Sequence, residues 1–302
     1  MSLIILDFNS IKYTIIADNI YTQTQKMKKF YLIDWSGFLY RAYYAFPDMP
    51  DKDWHNINTV YWFFRMILKM FLEKPDYFVI ARDAPTKTHR HEAYPEYKAN
   101  RAKAPDDFKI QIPIVQEITN KLWIPNLVMP WYEADDIIAS IVTKFKQDSW
   151  ITCNVFSADK DLKQLLDENV IFTDPSKWIT YKTNDFIQEF WFEPKYILDY
   201  LALIWDNADN IKWVPWIGPK WASELIKQYK TIENIYENIE WISWSTKEKL
   251  VNWKEFAENA KKLIQLEMSP EIDEIWLEKY KLDINFNDYK KVLVEEYNFS
   301  SM

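Results

Sequence analysis

Trp131-Tyr-Glu-Ala-Asp-Asp-Ile-Ile-Ala-Ser140 sets three carboxylates, Glu133, Asp135 and Asp136, into four residues and then runs into an apolar pattern. Ile137, Ile138, Ile141, Val142 and Phe145 recur at helical spacing, so the acids fall in the first turn of a helix with one buried face. Carboxylates this close repel one another, and a helix N-terminus offsets only part of the repulsion. A divalent cation with oxygen ligands offsets the rest, and Mg²⁺ suits such a set. An acidic first turn that merely caps its helix fits the same residues. The stretch alone leaves both readings open.

Outward from it, acids recur at the ends of apolar runs. Upstream, Tyr77-Phe-Val-Ile-Ala-Arg-Asp83 reads as a strand ending in an acid, and Phe30-Tyr-Leu-Ile-Asp34 as another, followed by Trp35-Ser36-Gly37. Residues 58–72 between them carry a helical apolar pattern. Downstream, Asn154-Val-Phe-Ser-Ala-Asp159-Lys-Asp161 is a third strand, with a helix through Leu162, Leu165 and Leu166; residues 169–173 offer a fourth. Strands alternating with helices predict an α/β domain with a mainly parallel sheet flanked by helices, whose ligands gather at the carboxyl ends of the strands. Asp34, Asp83, Asp159 and Asp161 all fall there. A strand-terminal Asp is often only a cap or turn residue. Several at one sheet edge, beside Glu133, Asp135 and Asp136, point to a site.

After the second strand comes Lys87-Thr-His-Arg-His91 and then Tyr94-Pro-Glu-Tyr-Lys98-Ala-Asn-Arg101-Ala-Lys103, a basic and aromatic run in an acidic chain. Most charge runs are solvated loops; this one follows a site strand directly, which favours phosphate contact and base stacking. From about residue 193 the pattern turns helical. Asp206 and Asp209 follow a helix, and Val214-Pro-Trp-Ile-Gly218-Pro-Lys220 is a tight hairpin opening the next one, suited to cradling phosphate on backbone N–H groups. Beyond about residue 245 alternating Lys and Glu read as a solvated helix face.

The chain has 302 residues, a net charge of −8 and a single cysteine, Cys153. It shows no secretory signal or membrane span, and a reducing cytoplasm is the expected setting. The acidic balance speaks against a nucleic-acid partner only if the acids are spread evenly rather than gathered in a metal site. One count is abnormal: 2 Gly against 16 Trp, where average usage gives about 21 Gly in this length. Asp34-Trp35-Ser36, Pro130-Trp131-Tyr132 and Pro215-Trp216-Ile217 put Trp where turns favour glycine. The hypothesis is that these Trp positions are UGA codons read as glycine in the source; UGG codons at Trp35, Trp131 and Trp216 would end it.

Together these motifs resemble the 5′ nuclease (flap endonuclease-like) family, most closely the 5′→3′ exonuclease domain of bacterial DNA polymerase I. The resemblance runs from about residue 29 to the end. It rests on Ile33-Asp34, Arg90-His91-Glu92 with Tyr97-Lys98 and Arg101, Tyr132-Glu-Ala-Asp-Asp136, Ala158-Asp159-Lys-Asp161, and Asp206-Asn-Ala-Asp209-Asn210. In relatives Trp35, Trp62, Trp131, Trp205, Trp213 and Trp216 are typically glycine, and Arg82 is usually apolar.

The resemblance implies an N-terminal extension over 1–28, a PIN-like nuclease domain over 29–192 with a helical clamp at about 84–109, a helix-three-turn-helix DNA-binding domain over 193–286, and a tail or connector over 287–302. It implies two Mg²⁺ or Mn²⁺ ions, the first mainly among Asp34, Asp83, Glu133 and Asp135 with Asp136 adjacent. The second would lie among Asp159, Asp161 and Asp209, supported by Asp206. It implies a K⁺ ion at the hairpin, around residues 216–218. Lys98 and Arg90 would hold the scissile phosphate. Tyr97, Arg101 and Lys103 would contact the threaded strand, and Gly218 and Lys220 the duplex. A monomer acting on DNA with a 5′ flap or 5′ end, RNA-primed or not, beside a polymerase, is the implied setting. A two-ion site serves in-line displacement without a covalent enzyme nucleophile. The alternatives are a junction-binding module without catalysis, which predicts gaps among the acids; a PIN-type ribonuclease, which the hairpin disfavours; and a Trp-rich sugar binder, which needs genuine surface Trp.

Overall fold

β1 (Lys28–Asp34) lies at the middle of a six-stranded sheet ordered β3-β2-β1-β4-β5-β6, with β2 (Tyr77–Arg82), β3 (Asn126–Val128), β4 (Ile151–Phe156), β5 (Val170–Asp174) and β6 (Ile179–Tyr181). The computed structural model describes residues 27–50, 55–204, 209–211, 217–274 and 276–299. The first five strands are parallel, and only β6 runs antiparallel, at the edge. Phe30 and Leu32 of β1 pack into one core, Tyr31 and Ile33 into another on the opposite face. Both faces of a parallel sheet are covered by crossover helices, which is why its strands read as continuous apolar runs.

The Tyr31 face is covered by α1 (Trp35–Tyr44), α2 (Asn58–Leu72) and α4 (Asp106–Lys121); the Phe30 face by α5 (Ala134–Phe145). Between β2 and α4 stand the five-residue α3 (His89–Ala93) and a run of turns. Beyond β6 and α6 (Thr183–Phe190) the chain is helical: α7 (Ile197–Leu203), α8 (Pro219–Tyr229), α9 (Ile232–Glu237), α10 (Trp244–Asn252) and α11 (Lys254–Ile264), before a short α12 (Phe286–Lys290). The predicted helix after β4 is a 3₁₀ turn over Lys160–Leu165. Among the described residues no helix is long and apolar enough to cross a membrane.

The order places the functional edge. From β1 the chain builds outward through β2 to β3, then returns to lay β4 on the other side of β1. The strands part there, and a crevice opens beyond the carboxyl ends of β1 and β4. Asp34 closes β1, and Ser157 to Asp159 follow β4.

The backbone bears on the tryptophans. Nine described non-glycine residues have left-handed φ, and four are Trp: Trp123 (54°), Trp131 (74°), Trp178 (54°) and Trp191 (65°). Trp191 ends α6 in the αL conformation, its N–H on Ile187 O, the position glycine most often fills. Trp35 differs: it is the first residue of α1, its ring buried 5.1 Å from that of Phe63. Its backbone does not ask for glycine, contrary to the turn expected there. Trp205, Trp213 and Trp216 lie outside the described residues, as does Asp206; of the expected K⁺ turn only residues 217 and 218 are described. Gly37 is needed for a steric reason, since a Cβ there would stand 2.8 Å from Asp34 Oδ2.

Candidate active site

A cavity of about 530 Å³ opens over the crevice, and Asp34, Asp83, Asp135 and Asp159 line it together. They come from four separate elements: the ends of β1 and β2, the first turn of α5, and the turn after β4. Each is held. Asp34 caps α1, accepting from Ser36 N (3.1 Å) and Gly37 N (3.3 Å), and takes a hydrogen bond from Ser157 Oγ at 2.7 Å. Asp83 accepts from Ser36 Oγ (2.6 Å) and from Ala134 N at the head of α5 (2.9 Å). Asp159 accepts from Asp161 N at 2.9 Å. The capping role and the site role coexist in the same side chains.

Burial raises the Asp34 carboxyl to about 6, with Asp83 and Asp159 adding repulsion. Asp135 is pushed well above the carboxylate range by burial, then by Asp159, Asp34 and Asp83, with Lys98 opposing. These are hard-oxygen donors whose ionised forms disfavour one another, the chemistry a divalent cation relieves. No three acids among the described residues form a ready-made ion cage. The fit lies in the donor set and its charge.

Glu133 and Asp209 stand behind this wall. Glu133 receives Lys98 Nζ on both oxygens at 3.0 Å, Tyr97 OH at 3.1 Å and Arg90 Nη1 at 3.3 Å. Asp209 is ion-paired with Arg101, accepts from Tyr97 OH at 3.1 Å, and offers its carbonyl to Lys98 N at 3.0 Å. The Tyr97 hydroxyl therefore sits between two acids that are 76 positions apart in sequence. Lys98 holds this place from a left-handed backbone, φ 58°. Burial lowers its ammonium pKa, but Glu133 and Asp209 more than reverse that, so the charge is secure.

Three expected roles are corrected. Tyr97 is 5% exposed; burial and the two carboxylates keep the proton on its phenol, so it is a buried donor and not a platform for a base. Arg90 is 4% exposed, forks onto Asp136 at 2.6 and 2.7 Å, and does not line the cavity in which the expected scissile phosphate would lie. Asp136 is 0% exposed, and besides Arg90 it accepts from Glu133 N (3.1 Å) and Glu267 N (2.9 Å). Its four lone-pair directions are used, which leaves none for an ion.

Asp161 does not line the cavity; its N–H supports Asp159. Lys98, Arg101 and Lys103 do line it. Gly218 and Lys220 are exposed at the start of α8. Arg82 lays its guanidinium 5.5 Å from the Trp35 ring centre, next to Asp83.

Residues not singled out in the sequence also reach the site. Ser36 and Ser157 orient Asp83 and Asp34. Tyr40 and Tyr44, one turn apart on α1, line the cavity with exposed rings stacked at 3° and 6.2 Å. Their spacing, four residues apart just after a strand-end acid, was the available signal.

The raised Asp34 pKa makes a test of stability. Its folded value lies above the unfolded 3.8, so the native state binds the extra proton. The resulting advantage is complete below about pH 4 and is lost as pH rises through about 6. In EDTA, Asp34→Asn and the parent should unfold at similar urea concentrations at pH 4. At pH 7.5 the variant should be the more stable by roughly 3 kcal/mol at most. A gap that does not grow with pH would remove the mutual-repulsion account.

Comparison with known proteins agrees with the geometry. The family model described as 5′-3′ exonuclease, N-terminal resolvase-like domain, matches residues 29–191, and that described as 5′-3′ exonuclease, C-terminal SAM fold, matches residues 192–285. The 5′-3′ exonuclease of Aquifex aeolicus is 41% identical over 215 residues, which are 71% of this chain and 74% of that protein. DNA polymerase I of Caldicellulosiruptor bescii is 36% identical over 242 residues, 78% of this chain but 28% of the polymerase. Among solved structures, the bacteriophage T5 D15 flap endonuclease with DNA and metal ions has a TM-score of 0.67 at 18% identity, covering 79% of this chain and 89% of that one. That last likeness concerns the fold. Strand-end acids converging at a sheet's switch point, and family models spanning nearly all of the chain from residue 29 to 285, place this chain in the 5′-3′ exonuclease family.

Proposed function

We propose that this chain hydrolyses phosphodiesters of DNA at 5′ ends and at 5′ flaps, including RNA-primed ones, in replication and repair. The observation that carries the reading is the single cavity in which Asp34, Asp83, Asp135 and Asp159 face Lys98, Arg101 and Lys103. The four acids would hold divalent ions, Mg²⁺ or Mn²⁺, with Glu133 and Asp209 close behind. Such ions supply activation of the attacking water and neutralise charge on the entering and leaving oxygens.

The chain's own residues do the rest. Lys98 and Arg101 put fixed positive charge on the cavity wall, where the non-bridging oxygens of the scissile phosphate gain charge. Glu133 holds Lys98 and Asp209 holds Arg101, and the Tyr97 hydroxyl ties the two acids together. Tyr40 and Tyr44 offer stacked rings to the terminal bases. Residues 193–286 would hold the duplex, with the exposed start of α8 at Gly218 and Lys220 turned to its phosphates. A K⁺ ion near residues 216–218, a monomeric state and a partner polymerase complete the proposal.

The test is a labelled 5′-flap duplex incubated with the purified chain. Cleavage near the flap junction that needs Mg²⁺ or Mn²⁺ is the expected result. Binding without cleavage in both metals would make the chain a junction binder instead.

A further inference from the structure

Asp136, Ser140 and Lys144 sit at four-residue spacing along one face of α5. Each meets the segment that leaves α11. Asp136 Oδ1 accepts from Glu267 N (2.9 Å), Ser140 Oγ accepts from Ser269 N (2.9 Å), and Lys144 Nζ donates to Ile272 O (2.7 Å). Arg90, forked onto Asp136, donates from Nε to Leu263 O (2.8 Å) and from Nη2 to Gln265 O (3.0 Å). The 263–272 segment is thus fastened step by step to the helix capped by Glu133 and carrying Asp135 in its first turn. Arg90 also touches Glu133 directly, at 3.3 Å.

A buried ion pair of this kind is a poor source of stability, because desolvation offsets most of the attraction. Its geometry is specific instead. A guanidinium fork that engages two carboxylate oxygens and two carbonyls admits one placement of the segment relative to α5. An apolar seam would allow sliding.

We infer that Arg90, Asp136, Ser140 and Lys144 form a register clasp. It fixes how far the helical half stands from the carboxylates, and so sets the nucleotide at which the strand is cut. Arg90 and Asp136 are positioning residues here: neither lines the cavity. The inference rests on the nuclease reading above, in which the helical half holds the duplex.

The test maps cut positions at nucleotide resolution on one 5′-flap duplex, in Mg²⁺, for the parent, Arg90→Gln and Asp136→Asn. The parent should give one dominant product. Both variants should spread their cuts over neighbouring positions, with kcat lower by about a hundredfold and KM within about threefold. The double variant should be no worse than either single one, as residues of one unit behave. Arg90→Lys should not restore the single cut, since an ammonium cannot fork.

Ser140→Ala with Lys144→Ala leaves the ion pair intact and should give a milder spread. It decides the matter if loss of the pair prevents folding. A single cut position kept in every folded variant, whatever its rate, would overturn the clasp. Footprints of the bound duplex in Ca²⁺ need no cleavage. A footprint that stays sharp in Arg90→Gln would overturn the clasp even if the parent proved inactive, and a blurred one would uphold it.

Discussion

Asp135→Asn should lower kcat on a 5′-flap duplex by on the order of a thousandfold or more, while flap affinity in Ca²⁺ stays within about threefold. Asp135 faces Asp34, Asp83 and Asp159 across the cavity, and their repulsion, with burial, holds its pKa well up. Asn keeps the size and removes the charge, so the variant relieves repulsion and should fold at least as well as the parent. Loss of activity without loss of stability is therefore the signature of a missing ion ligand. Asp159→Asn should behave alike, for the same reason. Single-turnover rates over a Mg²⁺ titration provide the measurement. A variant that cuts at the parental rate in saturating Mg²⁺ would take Asp135 out of the ion site.

Asp136→Asn tests the neighbour by contrast. It sits one residue on, but points into Arg90 and the 263–272 segment. Extra Mg²⁺ should not rescue it, because the loss is one of placement. Two adjacent acids, alike in sequence, thus separate in the laboratory by metal dependence.

That contrast also shows where reading the chain stops. Asp34, Asp83 and Asp159 were legible because each ends an apolar run, and a strand end in a parallel sheet has one place to be. Glu133, Asp135 and Asp136 were legible as a group only. Which of them faces the crevice depends on helical phase and on Glu267, 131 positions away. The basic run from 87 to 103 hid a similar division. Arg90 and Tyr97 turn inward as buried connectors, while Lys98, Arg101 and Lys103 reach the cavity. Charge and aromaticity do not reveal burial when the partner lies in a distant segment. β3 and β6 escaped for a local reason: at three residues each, with Asn126 and Thr180 in them, neither has room for a period. Trp35 misled because a strand-end Asp suggests a turn, whereas here Asp34 caps a helix that begins at once.

Replacing Trp123, Trp131 and Trp191 together by glycine should raise the unfolding midpoint by about 5–10 °C, from a gain of roughly 1 kcal/mol at each position. All three hold left-handed φ and expose their rings, Trp123 to 89%. A Cβ costs energy in that conformation, and an exposed indole returns little packing to offset it. Glycine loses more chain entropy on folding, which is why the net gain is smaller than the strain relieved. Trp35→Gly is the control with the opposite sign. It empties a buried site against Phe63 and should cost about 3 kcal/mol or more. Calorimetry of the triple and the control in one buffer checks both signs. If the triple variant melts at or below the parent, the left-handed tryptophans carry no strain, and the recoding hypothesis loses its physical support. UGG codons at positions 123, 131 and 191 would end it from the gene's side, because the source would then be specifying tryptophan at positions whose backbone favours glycine.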